Sequence, residues 1–137
     1  MVTNKHLYTL LADAVLIIHF AFVAFVVLGF VVIWIGYFRR WSFVCDLRFR
    51  LVHAAAMGFV LVESLTGIVC PLTIWENDLR IKAGNEVVYS GSFIQHWFSN
   101  LLFHDWSEQT FTVIYSVLFV FVALTFWIVR PRLSRRP

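Results

Sequence analysis

Residues Leu7 to Tyr37 form one apolar stretch broken only by Asp13 and His19. As an α-helix, about 20 residues cross the ~30 Å hydrocarbon core of a bilayer. This segment is long enough to span with tilt or with one end protruding. It is also too long for the apolar core of a cleaved signal peptide, and it lacks a small-x-small cleavage site. Leu51 to Val69, interrupted by His53 and Glu63, and Phe111 to Val129 supply two more spans. The composition agrees: 61% of residues are hydrophobic and 14% charged, against about 45–50% and 25% in soluble domains.

Charge sets the orientation. Arg39, Arg40, Arg48 and Arg50 lie between spans one and two, and Arg130, Arg132, Arg135 and Arg136 follow span three. With three spans, these eight of the eleven cations share one side, which the positive-inside rule assigns to the cytoplasm. Cations confined to helix ends report topology, so the net charge of +3 carries no nucleic-acid signal. The expected fold is therefore an all-α membrane protein with the N-terminus outside and the C-terminus cytoplasmic. One transmembrane domain fills residues 1–137, with spans at about 7–37, 51–70 and 109–130, an external cap at 71–108 and a basic cytoplasmic tail at 131–137.

Within the cap, Pro71 ends the second helix. Residues 75–80 read as a short surface helix of mixed charge, and 82–85 as a turn. Residues 86–90 are short enough for a strand. Residues 92–104 are too short to span and read as an amphipathic helix, lying on the outer surface or folded back over the bundle. Ser107 followed by Glu108 suits the start of span three.

Glu63, Thr66, Gly67 and Cys70 fall at i, i+3, i+4 and i+7, one stripe of a helix. A carboxylate in hydrocarbon costs roughly 3 kcal/mol on insertion scales, so a chain that keeps Glu63 is expected to give it a partner or a task. Measured from span centres near Ala21 and Leu61, His19 and Glu63 both lie ~3 Å outward on antiparallel helices, which predicts that they meet. Asp13 and Cys70 lie ~12 and ~13 Å outward. Asp13 and His19 are about 120° apart around their helix and do not point at one neighbour. Glu63 and Cys70, ~10 Å apart along a continuous helix, are not expected to touch. His53 lies ~12 Å inward, beside the Arg48 and Arg50 end. Gly29 and Gly36 share one face of span one, where another helix could approach closely.

Three pieces of the chain resemble a family of short bacterial integral membrane proteins carried as a domain of unknown function. They are the stretch from Leu11 to Phe22 around Asp13 and His19; the run Glu63, Thr66, Gly67, Cys70, Pro71, Leu72, Thr73 and Glu76 (E-x-x-T-G-x-x-C-P-L-T-x-x-E) with Leu79 and Arg80; and Tyr89, Gly91, Phe93, Ile94 and His96. The resemblance implies a bacterial membrane protein and no reaction. It also implies that Asp13, His19, Glu63, Cys70, Glu76 and His96 belong together.

Adding Thr66 gives the candidate cluster, which depth arguments put in the outer half of the membrane or at its outer surface. A non-enzymatic accessory or scaffold subunit of the bacterial inner membrane fits these features best, its partners being the lipid bilayer and other membrane proteins or further copies of itself. The alternatives are a metal- or haem-binding protein and a proton or small-solute pathway in an oligomer. His96, Cys70, Glu76 and His104 are the candidate metal ligands, of types suited to Zn or Cu. No C-x-x-C or H-E-x-x-H spacing supports them, and the absence of C-x-x-C-H excludes covalent c-type haem. The sequence requires neither metal nor haem, and it does not name a ligand.

Overall fold

A computed structural model describes residues 2–86, 92–102 and 106–132. Five α-helices follow in order: α1 (Val2–Phe38), α2 (Leu47–Thr66), α3 (Pro71–Lys82), α4 (Phe93–Leu102) and α5 (Glu108–Ile128), with a 3-10 turn at Ser42–Cys45 between α1 and α2. The fold is all-α, and α1, α2 and α5 are apolar and long enough to cross a membrane. Most of the strand expected at 86–90, together with His104 and the tail beyond Arg132, lies outside the described residues.

Local chemistry sets the helix ends. The Asp46 carboxylate accepts from the Arg48 amide at 2.8 Å and starts α2. Gly67 ends it in the left-handed conformation (φ 68°), and the amides of Gly67 and Ile68 both donate to the Glu63 carbonyl. The helix therefore stops four residues before Cys70. Pro71, expected to terminate α2, instead opens α3 at a position where its missing N–H costs nothing. Ser107 caps α5 through the Thr110 amide at 3.3 Å, as its sequence context predicts.

The helices pack as two pairs. α3 lies along α1, the most extensive contact in the chain, and α5 lies along α2. At 37 residues, α1 is about 55 Å long, well beyond the ~30 Å core, and its surplus length gives α3 a surface to dock on. The pairs meet around Val26, Met57 and Val122. The segment before α2 and the end of α5 also adjoin: Leu47 donates to the Arg132 carbonyl at 3.2 Å and Arg132 donates to the Cys45 carbonyl at 2.6 Å. The two arginine-rich segments therefore share one end of the bundle.

Burial is inverted relative to a soluble protein. His19, Arg50, His53, Thr73, Glu76 and Thr125 are buried, while Ile17, Val52, Leu65 and Trp127 stand exposed. An apolar outer surface with polar groups turned inward is what hydrocarbon solvent selects. The protein is a small, largely helical, multi-pass membrane protein.

Candidate functional site: a cavity between the helix pairs

At the linker end, α1 and α2 are in close contact. His53 has no exposed surface, and its Nε2–H donates to the Val26 carbonyl at 2.8 Å. The ring sits against Gly29, between Phe25 and Phe49. Two turns further along α1, Gly36 receives the Val44 side chain. The two glycines expected to admit another helix thus admit side chains of their own chain. Neighbouring Arg50 is likewise buried: Nη2 donates to the Thr125 hydroxyl at 2.7 Å, and the guanidinium lies 4.6 Å from the Phe126 ring centroid. In the sequence Arg50 counts only as a topological charge. The buried series Arg50, His53, Met57 at i, i+3, i+7 is the signal for an inward polar face.

At the opposite end, a cavity of about 270 Å³ separates the pairs. α1 contributes His19, Phe22 and Val23, α2 contributes Met57 and Glu63, and α5 contributes Tyr115. α4 adds Phe93, whose ring stacks on His19 with centroids 3.8 Å apart. His19 and Glu63, predicted to meet, do face the same cavity, but not as a hydrogen-bonded pair through their buried atoms. Both His19 Nδ1 and Glu63 Oε1 are buried without a hydrogen-bond partner. The walls are otherwise mostly aliphatic and aromatic, with Ser92, Glu108, Ser64 and Thr112 as further polar residues; the Ser64 and Thr112 hydroxyls lie 2.7 Å apart and bridge α2 to α5.

Cys70 also lines this cavity. The turn at Gly67 folds the chain back and brings the thiol within hydrogen-bonding reach of the Glu63 carboxyl, a contact that a continuous helix would forbid. Burial pushes the Cys70 thiol up, and the neighbouring Glu63 adds to the effect. A thiol held protonated is a weak nucleophile.

Asp13 and Glu76 belong to a second cluster. Thr73, Glu76 and Arg80 follow one another at i, i+3 and i+7 along α3, with Thr73 and Glu76 fully buried. Arg80 Nε donates to Glu76 Oε1 at 2.9 Å, and Nη2 donates to Asp13 Oδ1 on α1 at 3.2 Å. Burial alone would push the Arg80 guanidinium down, but the Glu76 hydrogen bond and charge, with the charge of Asp13, outweigh it and hold it above its ordinary value. The stretch expected as a surface helix is thus half buried, and Arg80 ties two candidate residues into one latch.

The remaining candidates stand apart. The Thr66 hydroxyl bonds back to the Val62 carbonyl at 2.7 Å and is exposed. His96 is partly buried on α4, with Nε2 3.1 Å from Asn100 Nδ2. Glu76 is bound to Arg80, Cys70 faces Glu63, and His104 lies outside the described residues. Among the described residues, no three of His, Cys, Asp and Glu converge as a metal site requires. Of the expected ligands, the described three, His96, Cys70 and Glu76, do not converge: α3 turns Glu76 towards α1 while His96 rides on α4.

No curated protein and no solved structure matches the chain. The family comparison does: residues 9–131, nearly the whole chain and both clusters with it, match the family described as a protein of unknown function, DUF2784, and the chain belongs to that family.

Proposed function

We propose that this protein is a non-enzymatic accessory protein of the bacterial inner membrane that holds a lipid-phase molecule in the cavity between its helix pairs. The N-terminus, α3 and α4 lie on the outer side, and the two arginine-rich segments lie in the cytoplasm. One observation carries the reading: His19 and Glu63, whose Nδ1 and Oε1 atoms are buried without hydrogen-bond partners, line a mostly apolar cavity. Buried polar groups are normally satisfied, and an exception calls for an occupant or a function. The orientation rests on the arginine-rich stretches of the sequence before α2 and after α5, with Arg132 bonded to Cys45 and Leu47 in the structure.

Filling the cavity tests the reading. Val23→Trp should deplete the molecules that co-purify with wild-type protein in gently solubilised membranes, read by native mass spectrometry, while the helical spectrum is retained. An unchanged set of bound molecules would sink the proposal.

A pair of substitutions separates the cavity from the scaffold. Glu63→Gln should leave thermal stability close to wild type and weaken retention of the bound molecule about tenfold or more, a loss of ~1.4 kcal/mol or above. His53→Ala should do the reverse, lowering stability by about 2–4 kcal/mol through a lost buried ring and hydrogen bond while sparing retention. Equal effects of both substitutions on retention would contradict the assignment. Orientation has its own check. A reporter that fluoresces only in the cytoplasm should be bright when fused after Pro137, and a dark fusion would reverse the topology.

A further inference from the structure

The charge around the cavity specifies its occupant. Among the described residues that line it, Glu63 and Glu108 carry carboxyl groups and no lysine or arginine appears. Arg80 of α3 is committed to Glu76 and Asp13. A fatty acid or phosphate headgroup entering here would meet carboxyl groups and no counter-charge. Five aromatic rings line the same space: Phe22, Phe93, Phe98, Phe111 and Tyr115. Aromatic faces attract cations, most strongly where water is excluded. His19 is only 4% exposed, and its Nδ1 has no partner. An imidazole protonated at Nε2 offers Nδ1 as an acceptor, and an ionised carboxylate offers acceptors only.

We infer that the cavity binds an apolar amine in its protonated, N–H-bearing form, the ammonium paired with the Glu63 carboxylate beside His19 and among the aromatic rings. The inference rests on the proposed function, since it names the class of molecule held in that cavity. One ammonium answers two features together. It supplies a counter-charge to the Glu63 carboxylate and uses the aromatic walls. A cavity of about 270 Å³ takes the ammonium head and the nearest part of its stem, so the rest of a long chain extends among the lipid acyl chains.

The test uses full-length protein in lipid nanodiscs and dansyl-undecyl probes that differ only in their end group: primary ammonium, trimethylammonium, hydroxyl or carboxylate. The primary ammonium should bind tightest, the trimethylammonium next for want of an N–H, and the carboxylate about tenfold or more weaker than the primary ammonium. Glu63→Gln should weaken the ammonium probe by roughly 10- to 100-fold, the range of a charge-assisted hydrogen bond, and leave the hydroxyl probe little changed. Val23→Trp should block every probe. Blockage by Val23→Trp with no preference for ammonium, or with no effect of Glu63→Gln, would overturn the cation assignment and keep the cavity as a binding site. Binding of all four probes that is indifferent to Val23→Trp would overturn the cavity reading itself.

Discussion

Arg80→Ala should lower the unfolding free energy by about 3–5 kcal/mol, the usual cost of removing one partner from a buried ion pair. The size of the effect follows from burial. Glu76 has no exposed side-chain surface, and Arg80 is 15% exposed. Without the guanidinium 2.9 Å away, the Glu76 carboxylate loses its cation in a place that water does not reach. The second leg of the latch is different. Asp13 is 50% exposed and 3.2 Å from Arg80, so Asp13→Ala should cost about 1 kcal/mol or less. Arg80→Lys should fall between the two, because an ammonium keeps the charge but cannot reach Glu76 and Asp13 in one planar fork. Reversible unfolding in mixed detergent micelles gives the three numbers. If Arg80→Ala and Asp13→Ala cost the same, the buried leg is not what fastens α3 to α1. Released from α1, α3 would also stop holding Cys70 and the Gly67 turn beside the cavity, so the same variant should lose the bound molecule.

The three spans were legible in the sequence because some twenty apolar residues in a row, repeated three times in a short chain, suit hydrocarbon far better than water. The rise per residue also puts His19 and Glu63 at one depth on two antiparallel helices, and both line the same cavity, although their buried Nδ1 and Oε1 atoms have no hydrogen-bond partner. What the sequence hid depended on where helices stop and on contacts distant along the chain. Glu63 and Cys70 meet because Gly67 breaks the helix, yet in the sequence Gly67 reads as a small residue for close packing. Its position after the last apolar repeat, with a proline four residues on, is the available sign of a left-handed helix end. The Asp13–Arg80 contact joins residues 67 positions apart, and no local pattern encodes it. Glu76 resembles a metal ligand as long as its burial is hidden. The i, i+3, i+7 series Thr73, Glu76, Arg80 does contain that information, as a polar face on a helix bordered by Ile74, Trp75 and Ile81. In a membrane protein such a face marks the side turned towards other helices.

Gly29→Ala should destabilise the protein by about 2–4 kcal/mol, whereas Gly58→Ala should be close to neutral or mildly stabilising. Both glycines lie inside apolar helices, and alanine is the better helix former by up to ~1 kcal/mol, so propensity alone predicts a gain at each. Space decides between them. A Cβ on Gly58 would lie 3.4 Å from the Phe119 side chain, an ordinary contact. A Cβ on Gly29 would lie 2.5 Å from His53 Cδ2 and 2.8 Å from Nε2. The imidazole cannot step aside cheaply, because Nε2–H is bonded to the Val26 carbonyl and Phe25 and Phe49 hold the ring. Overpacking costs ~1–3 kcal/mol, and breaking the Val26 bond in a buried site adds ~1 kcal/mol or more. The double variant Gly29→Ala with His53→Ala should be less damaged than the sum of the singles, since the truncated ring no longer meets the new methyl. The same measurement decides what the glycine face of α1 is for. If Gly29 serves contact between copies of the chain, its substitution should shift the oligomeric state and leave the unfolding of the monomer unchanged. If it is the notch that seats His53, the monomer should lose stability at every protein concentration, and His53→Ala should relieve the loss.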